Sequence, residues 1–322
     1  MSFRKNNLNR LGNTVSVTIP RDEQGYVGRE CPEPECEGYF KVKPGTGLTG
    51  VDLCHCPYCG HSGSNDTFFT KDQIEYAKSV AVRQFVDAFH RDLKTLEFEH
   101  KPSGPFGIGL SLKVQPGAPV PIKRLREQAL ETHVKCEGCT LEYAVFGVFA
   151  YCPDCRSHNS LQILRQNLTL IRKQIELAGT IEDLALKGHL IEDALENCIS
   201  SFDGFARESC RVRARHSGDP FSAETLSFQN LPRVANRLRK LFGIAFDKTL
   251  ASEQWGRAHL LFMRRHLIAH KSGVIDTQYL KETGEPASLA GKRIRVSPED
   301  VTELLALIES LGTGLLALLP AA

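Results

Sequence analysis

From Thr70 to about Thr95, apolar residues recur at intervals of three and four or their sums: Ile74, Ala77, Ala81, Phe85, Ala88, Phe89 and Leu93. That spacing predicts a helix, and Thr70 with Gln73 has the form of a capping box that would start it. Beyond residue 160 the same period governs the chain. Leu161, Leu164, Leu168, Ile171 and Ile175 predict one helix; Ile181, Leu184, Gly188, Ile191, Leu195, Cys198, Phe202 and Phe205 predict another, opened by Thr180 with Asp183. A shorter helix over 232–242 would end at Gly243, and a further one lies within 254–276, stopped by Gly273. Ser297-Pro298 opens the last, with proline in the first turn where its missing N–H does no harm. Residues 277–296 read as a polar loop.

The N-terminal half follows a different pattern. Val15, Val17 and Ile19 alternate as in an edge strand ended by Pro20. Residues 99–128 are rich in Pro and Gly around a short strand over 109–114, and read as a linker or a small β-layer. Leu141 to Tyr151, rich in Val, Phe and Tyr, suits a β-hairpin.

Cysteine spacing changes the picture of that half. Of eleven cysteines, eight fall in close pairs: Cys31 with Cys36, Cys56 with Cys59, Cys136 with Cys139, and Cys152 with Cys155. Two such pairs about 20 residues apart hold one tetrahedral ion, so the chain predicts two four-thiolate zinc ribbons, at 21–67 and 130–158. Cys54, His55 and His61 lie near enough to replace a ligand of the first. Four thiolates close the coordination sphere, so Zn2+ is expected to be structural, with no catalytic metal. Tyr143, Phe146, Phe149 and Tyr151 have the chemistry to stack on bases or to fill a hairpin core. Cys198 falls on an apolar stripe and reads as core; Cys210 reads as ordinary too.

The expected fold class is therefore mainly α: two small β zinc-ribbon modules in the N-terminal half, a connecting helix over 70–97 and a helical bundle over 160–320. Charge adds a local feature to a balanced whole. Against 40 Lys+Arg stand 38 Asp+Glu, which excludes a generally basic coat. Between Arg207 and Lys271, however, 13 Lys/Arg face 5 Asp/Glu. A surplus of eight fits a polyanion such as RNA, or a solvated helical surface. The first residues carry no apolar run behind Arg4, Lys5 and Arg10, and Glu303 and Glu309 interrupt the apolar C-terminus. Both point to a soluble cytoplasmic protein without a membrane span.

Within 254–276, Trp255, Ala258, Leu261, Phe262, Ile268 and Ala269 gather into one stripe. Arg265 projects from its middle and needs a carboxylate, a phosphate or a subunit boundary beside it. His259, His266 and His270 form a second line. Arg265, a polar residue, three more residues and then His270, followed by Lys-Ser-Gly-Val-Ile-Asp over 271–276, resemble the R-x4-6-H signature of the HEPN superfamily. The order of helices over 160–320 is similar to that bundle as well; the ribbons lie outside the resemblance.

The resemblance implies a metal-independent endoribonuclease acting on RNA from a homodimer, with toxin or anti-phage roles and a neutralising or sensor protein as a further class of partner. His270 would move protons near neutral pH, and Arg265 would stabilise the charged phosphorane. His266 would orient the site or bind substrate, and Arg264 and Lys271 would bind substrate. On one helix Arg265 and His270 stand about 140° apart, an awkwardness that a dimer boundary relieves. Glu192 and Glu196 are the acids expected to hold Arg265. The alternatives are a buried salt-bridge arginine with those acids beside a helix-terminal histidine, a non-catalytic binder of nucleic acid or nucleotide, and a protein-interaction scaffold.

Overall fold

The computed structural model describes residues 6–12, 14–100, 110–115, 117–125, 128–130 and 132–321. The chain is mainly helical, with small antiparallel sheets in its N-terminal half. It divides into two compact units, 1–157 and 158–322.

In the first unit, β1 (Val27–Glu30), β2 (Tyr39–Val42), β8 (Glu142–Val145) and β7 (Thr132–Lys135) form one antiparallel sheet in that order. The central pairing sets Lys41 opposite Ala144 and Val42 opposite Tyr143. Phe40, Val134, Tyr143 and Val145 are buried on it together with cysteines of both groups, so the two cysteine modules share one core. Two short hairpins accompany the sheet: β3 (Cys54–His55) with β4 (Ser62–Gly63), and β5 (Phe98–His100) with β6 (Leu110–Leu112).

Two local expectations change here. Residues 14–20 are not a strand; alternation alone has no force without a neighbouring edge to bond. The hairpin expected within 141–151 is instead β7 with β8, and its turn is the Cys136–Cys139 knuckle. Tyr143 and Tyr151 are buried, while Phe146 is exposed.

Helix α2 (Lys71–Lys94) starts at the expected box: Gln73 N–H donates to Thr70 Oγ1 at 3.1 Å, and Thr70 N–H to Gln73 Oε1 at 3.2 Å. Its apolar stripe stays largely outside, with Ile74, Phe85 and Phe89 exposed. Polar anchors hold it. Gln73 Nε2 donates to Gly28 O at 2.8 Å, and buried Asp92 accepts the N–H groups of Asn7 and Leu8 at the start of α1 (Asn6–Leu11).

The second unit is helical throughout: α3 (Ser160–Gly179), α4 (Leu184–Arg211), α5 (Pro220–Glu224), α6 (Leu231–Phe242), α7 (Ser252–Lys271), α8 (Thr277–Thr283) and α9 (Pro298–Leu318). Asp183, not Thr180, caps α4, accepting from Ala185 and Leu186 N–H; Thr180 instead ends α3. The supposed loop after α7 contains α8, capped by Asp276 and stopped by Gly284 at φ 71°. Both signals were present in its sequence, masked by polar neighbours. The core centres on Phe202 of α4, whose ring meets those of Phe228, Phe246 and Phe262 at 5.8, 6.5 and 6.3 Å. Phe262 belongs to α7, so this cluster fixes which face of α7 turns inward. Helix α9 is long and apolar enough to cross a membrane, yet Val301, Leu304, Ile308, Leu311 and Leu315 are buried in this core.

A buried ion pair ties the start of α3 to α4. Glu208 receives Arg211 through two bonds of 2.7 and 2.8 Å and faces His158 Nε2 at 3.3 Å. Burial alone would raise its pKa, but the bonds from His158 and Arg211 outweigh burial and hold it at about 2. Its contribution, of order 3 kcal/mol, is complete above the ordinary glutamate value and is lost as pH falls towards 2. Glu208→Gln should therefore lower the melting temperature of this unit at pH 7 and converge with wild type near pH 2. Equal gaps at both pH values would contradict it.

Candidate functional site

Four knuckles carry the paired cysteines, and their backbones share one device. The residue after the second cysteine of each pair has a left-handed backbone: Glu37 (φ 42°), Gly60 (72°), Thr140 (65°) and Arg156 (61°). Only one is the glycine that such a conformation favours. In three of them that residue's N–H closes the turn on the first cysteine's carbonyl: Gly60 on Cys56, Thr140 on Cys136 and Arg156 on Cys152, each at 3.0 Å.

The knuckles bring together Cys31, Cys36, Cys56 and Cys59 in one cluster, and Cys136, Cys139, Cys152 and Cys155 in the other. Closest Sγ–Sγ separations are 3.7 Å in the first and 3.5 and 3.6 Å in the second. A tetrahedral ion with bonds of about 2.3 Å to sulfur needs edges of about 3.8 Å, so both sets fit a metal ion. Burial pushes the Cys31 thiol up to about 12 and Cys139 to about 11. A cation is what would let such thiols ionise at neutral pH. Cys54, His55 and His61 stand outside the first cluster. Cys54 is buried in β3, His55 Nδ1 bonds Ser62 Oγ at 2.7 Å, and His61 Nδ1 meets Glu33 at 2.8 Å.

The two clusters are strapped to one another. Tyr151 N–H donates to Pro57 O at 2.8 Å and His55 N–H to Pro153 O at 2.7 Å, so the two Cys-Pro turns exchange backbone bonds. Tyr58 Oη donates to Tyr39 O at 2.6 Å and accepts from Phe146 N–H at 3.0 Å.

In the second unit, α7 separates its two arginines. Arg264 turns inward, bonding Asp300 at 3.1 Å and Glu285 at 3.2 Å, with little of its side chain exposed. Its charge is taken up by these two acids, where the sequence suggested a substrate ligand. Among the described residues Arg265 lies half-buried without an acid: its Nη1 donates to Gln229 Oε1 at 3.1 Å, and its Nε is buried with no partner. Glu192, expected beside it, is bonded by Arg293 at 3.0 Å. Lys271 is paired with Asp276.

His266 and His270 are exposed one turn apart, with ring centroids 4.9 Å from each other. The pKa of His266 is lowered, first by partial burial, then by the positive fields of His270, Lys271 and Arg265. His259, two turns before His266, lines a different groove with Glu253, Glu282 and Glu285.

His266 also lines a groove of about 400 Å³ with Ser227, Gln229, Asn230, Arg233 and Arg237 on one side and Gln278 and Glu282 on α8. The basic surplus in the sequence covers Arg233 and Arg237, but nothing local singled them out: an i, i+4 arginine pair on an amphipathic helix is an ordinary solvated feature. No family model, curated protein or solved structure matches this chain.

Proposed function

We propose that the second unit is a metal-independent endoribonuclease of the HEPN type, acting as a homodimer, and that the two thiolate clusters hold structural zinc. The observation that carries the reading is the exposed His266–His270 pair beside an arginine that no acid among the described residues neutralises. Cleavage of RNA by its own 2′-hydroxyl needs a base, an acid and a cation. The 2′-oxygen attacks phosphorus and loses its proton; the P–O5′ bond breaks and the 5′-oxygen gains one. The depressed pKa of His266 favours its neutral form and suits the first transfer. His270 supplies the second, and Arg265 offers a permanently charged fork to the phosphorane oxygens.

Half-burial of an unpaired guanidinium is costly for a lone protomer, which supports a partner protomer closing over α7. Zinc is favoured for the clusters because four closely set thiolates select a soft, tetrahedral ion with no open position.

Incubation with single-stranded RNA in EDTA tests the reading. The expected products are a 2′,3′-cyclic phosphate and a 5′-hydroxyl, with DNA of the same sequence left intact because it lacks the nucleophile. Intact RNA, or equal cutting of DNA, would refute it.

A further inference from the structure

We infer that the groove between α6, the 227–230 loop, α7 and α8 is a nucleotide subsite, which holds the phosphate and base flanking the cleaved bond of single-stranded RNA. The inference rests on the ribonuclease reading and names residues that would bind substrate there.

Its volume of about 400 Å³ lies within the roughly 300–1,000 Å³ typical of small-molecule sites. Arg233 and Arg237 are one turn apart on α6, so both heads work on the same side, with Cβ atoms about 5–6 Å apart. The opposite face of that helix is committed to the core through Leu231, Val234, Ala235 and Leu238. Neither arginine forms an ion pair among the described residues; Arg237 gives one N–H to Ser222 O at 3.2 Å, and Asp219 lies within its field. Each keeps N–H donors for a phosphate, which a guanidinium fork matches in shape.

The surroundings are fixed in advance. Buried Asp203 accepts the Phe228 N–H at 2.5 Å from beneath the loop, and Asn230 accepts the Arg233 N–H at 2.9 Å. On the other wall, Gln278 Nε2 donates to Glu282 Oε1 at 3.1 Å. Two arginines alone would take any phosphate. The amide and carboxylate groups beside them, over Phe262 and Met263, suit a phosphate that carries a base. His266 belongs both to this groove and to the imidazole pair, so a nucleotide seated in the groove brings its neighbouring phosphodiester to His266 and His270.

The test is fluorescence anisotropy of the full chain with a fluorescein-labelled 2′-O-methyl RNA octamer, which binds but cannot be cut, across a range of salt. Arg233→Ala/Arg237→Ala should weaken binding about 10- to 100-fold and reduce the salt slope by about 0.7, the value for one phosphate contact on a single strand. On cleavable RNA it should raise KM while kcat holds. Arg172→Ala, on exposed α3 surface, is the control and should match wild type. If loss of the Ser222 bond disturbs the fold, Arg233→Ala alone carries the test through the same two readouts. Unchanged affinity and slope in a folded variant, or no binding by wild type, would overturn the subsite. Arginine-dependent binding without cleavage by wild type would keep the subsite and remove the ribonuclease. Cleavage that depends on His270 but ignores both arginines would do the reverse.

Discussion

Cys152→Ser should empty both metal sites and unfold the whole first unit. Cys152 is fully buried in the core that includes Phe40, Phe68, Val134 and Tyr143. Serine there removes one thiolate from a closed set of four and leaves the buried thiols of Cys136 and Cys139 facing half-buried Cys155. Structural zinc contributes roughly 10–16 kcal/mol in small domains, against a total stability of about 5–15 kcal/mol. One lost site therefore matches or exceeds what the rest of the unit can supply. The second site should follow because β2 and β8 pair directly, and because the two Cys-Pro turns exchange the Tyr151–Pro57 and His55–Pro153 bonds.

The check is metal content by atomic emission together with hydrogen exchange. Wild type should hold two equivalents per chain. The serine variant should fall close to none, with protection lost across β1, β2, β7 and β8. The only tryptophan, Trp255, reports the second unit separately. Retention of one full equivalent and of a protected β1–β2 hairpin would show that the sites fold independently.

How much of this was legible depends on how far apart the cooperating residues lie. Metal ligands announce themselves because a knuckle is made within a few residues, and its geometry forces the cysteine spacing. Helix starts were equally local where a box such as Thr70–Gln73 or Ser297–Asp300 was complete. The β2–β8 pairing joins residues about a hundred positions apart, and nothing near Lys41 or Ala144 records it. The arginines of α7 show the same limit. The pattern sets Arg265 on the apolar stripe with Glu192 and Glu196 as its acids, but Glu192 is bonded by Arg293, and the acids that reach this part of α7 pair with Arg264. They come from the first turn of α9 and from Glu285, in segments whose approach to α7 is set by tertiary packing. With Arg265 left unneutralised, the site became more open than the pattern alone implied. Arg233 and Arg237 stayed hidden for a related reason: a groove exists only once α6, α7 and α8 have met.

His270→Ala should lower kcat/KM for RNA by about 10²- to 10⁴-fold, and Arg265→Ala by about 10²- to 10³-fold, each with unchanged circular dichroism. His270 is exposed and at the end of α7, so its removal leaves the packing intact. Arg265 gives up one bond to Gln229. The partial burial and then the positive surroundings that depress the pKa of His266 keep it neutral to lower pH. The acidic limb of the wild-type profile should therefore lie below the ordinary imidazole value of about 6.5. If each site takes Arg265 from one protomer and His270 from its partner, mixing the two inactive variants has a distinctive consequence. Half of the dimers become mixed, and each of those contains one intact site, so about a quarter of wild-type activity should return in a two-fold symmetric dimer. Sites confined to single protomers would return none, because no mixed dimer would then combine the wild-type arginine with the wild-type histidine.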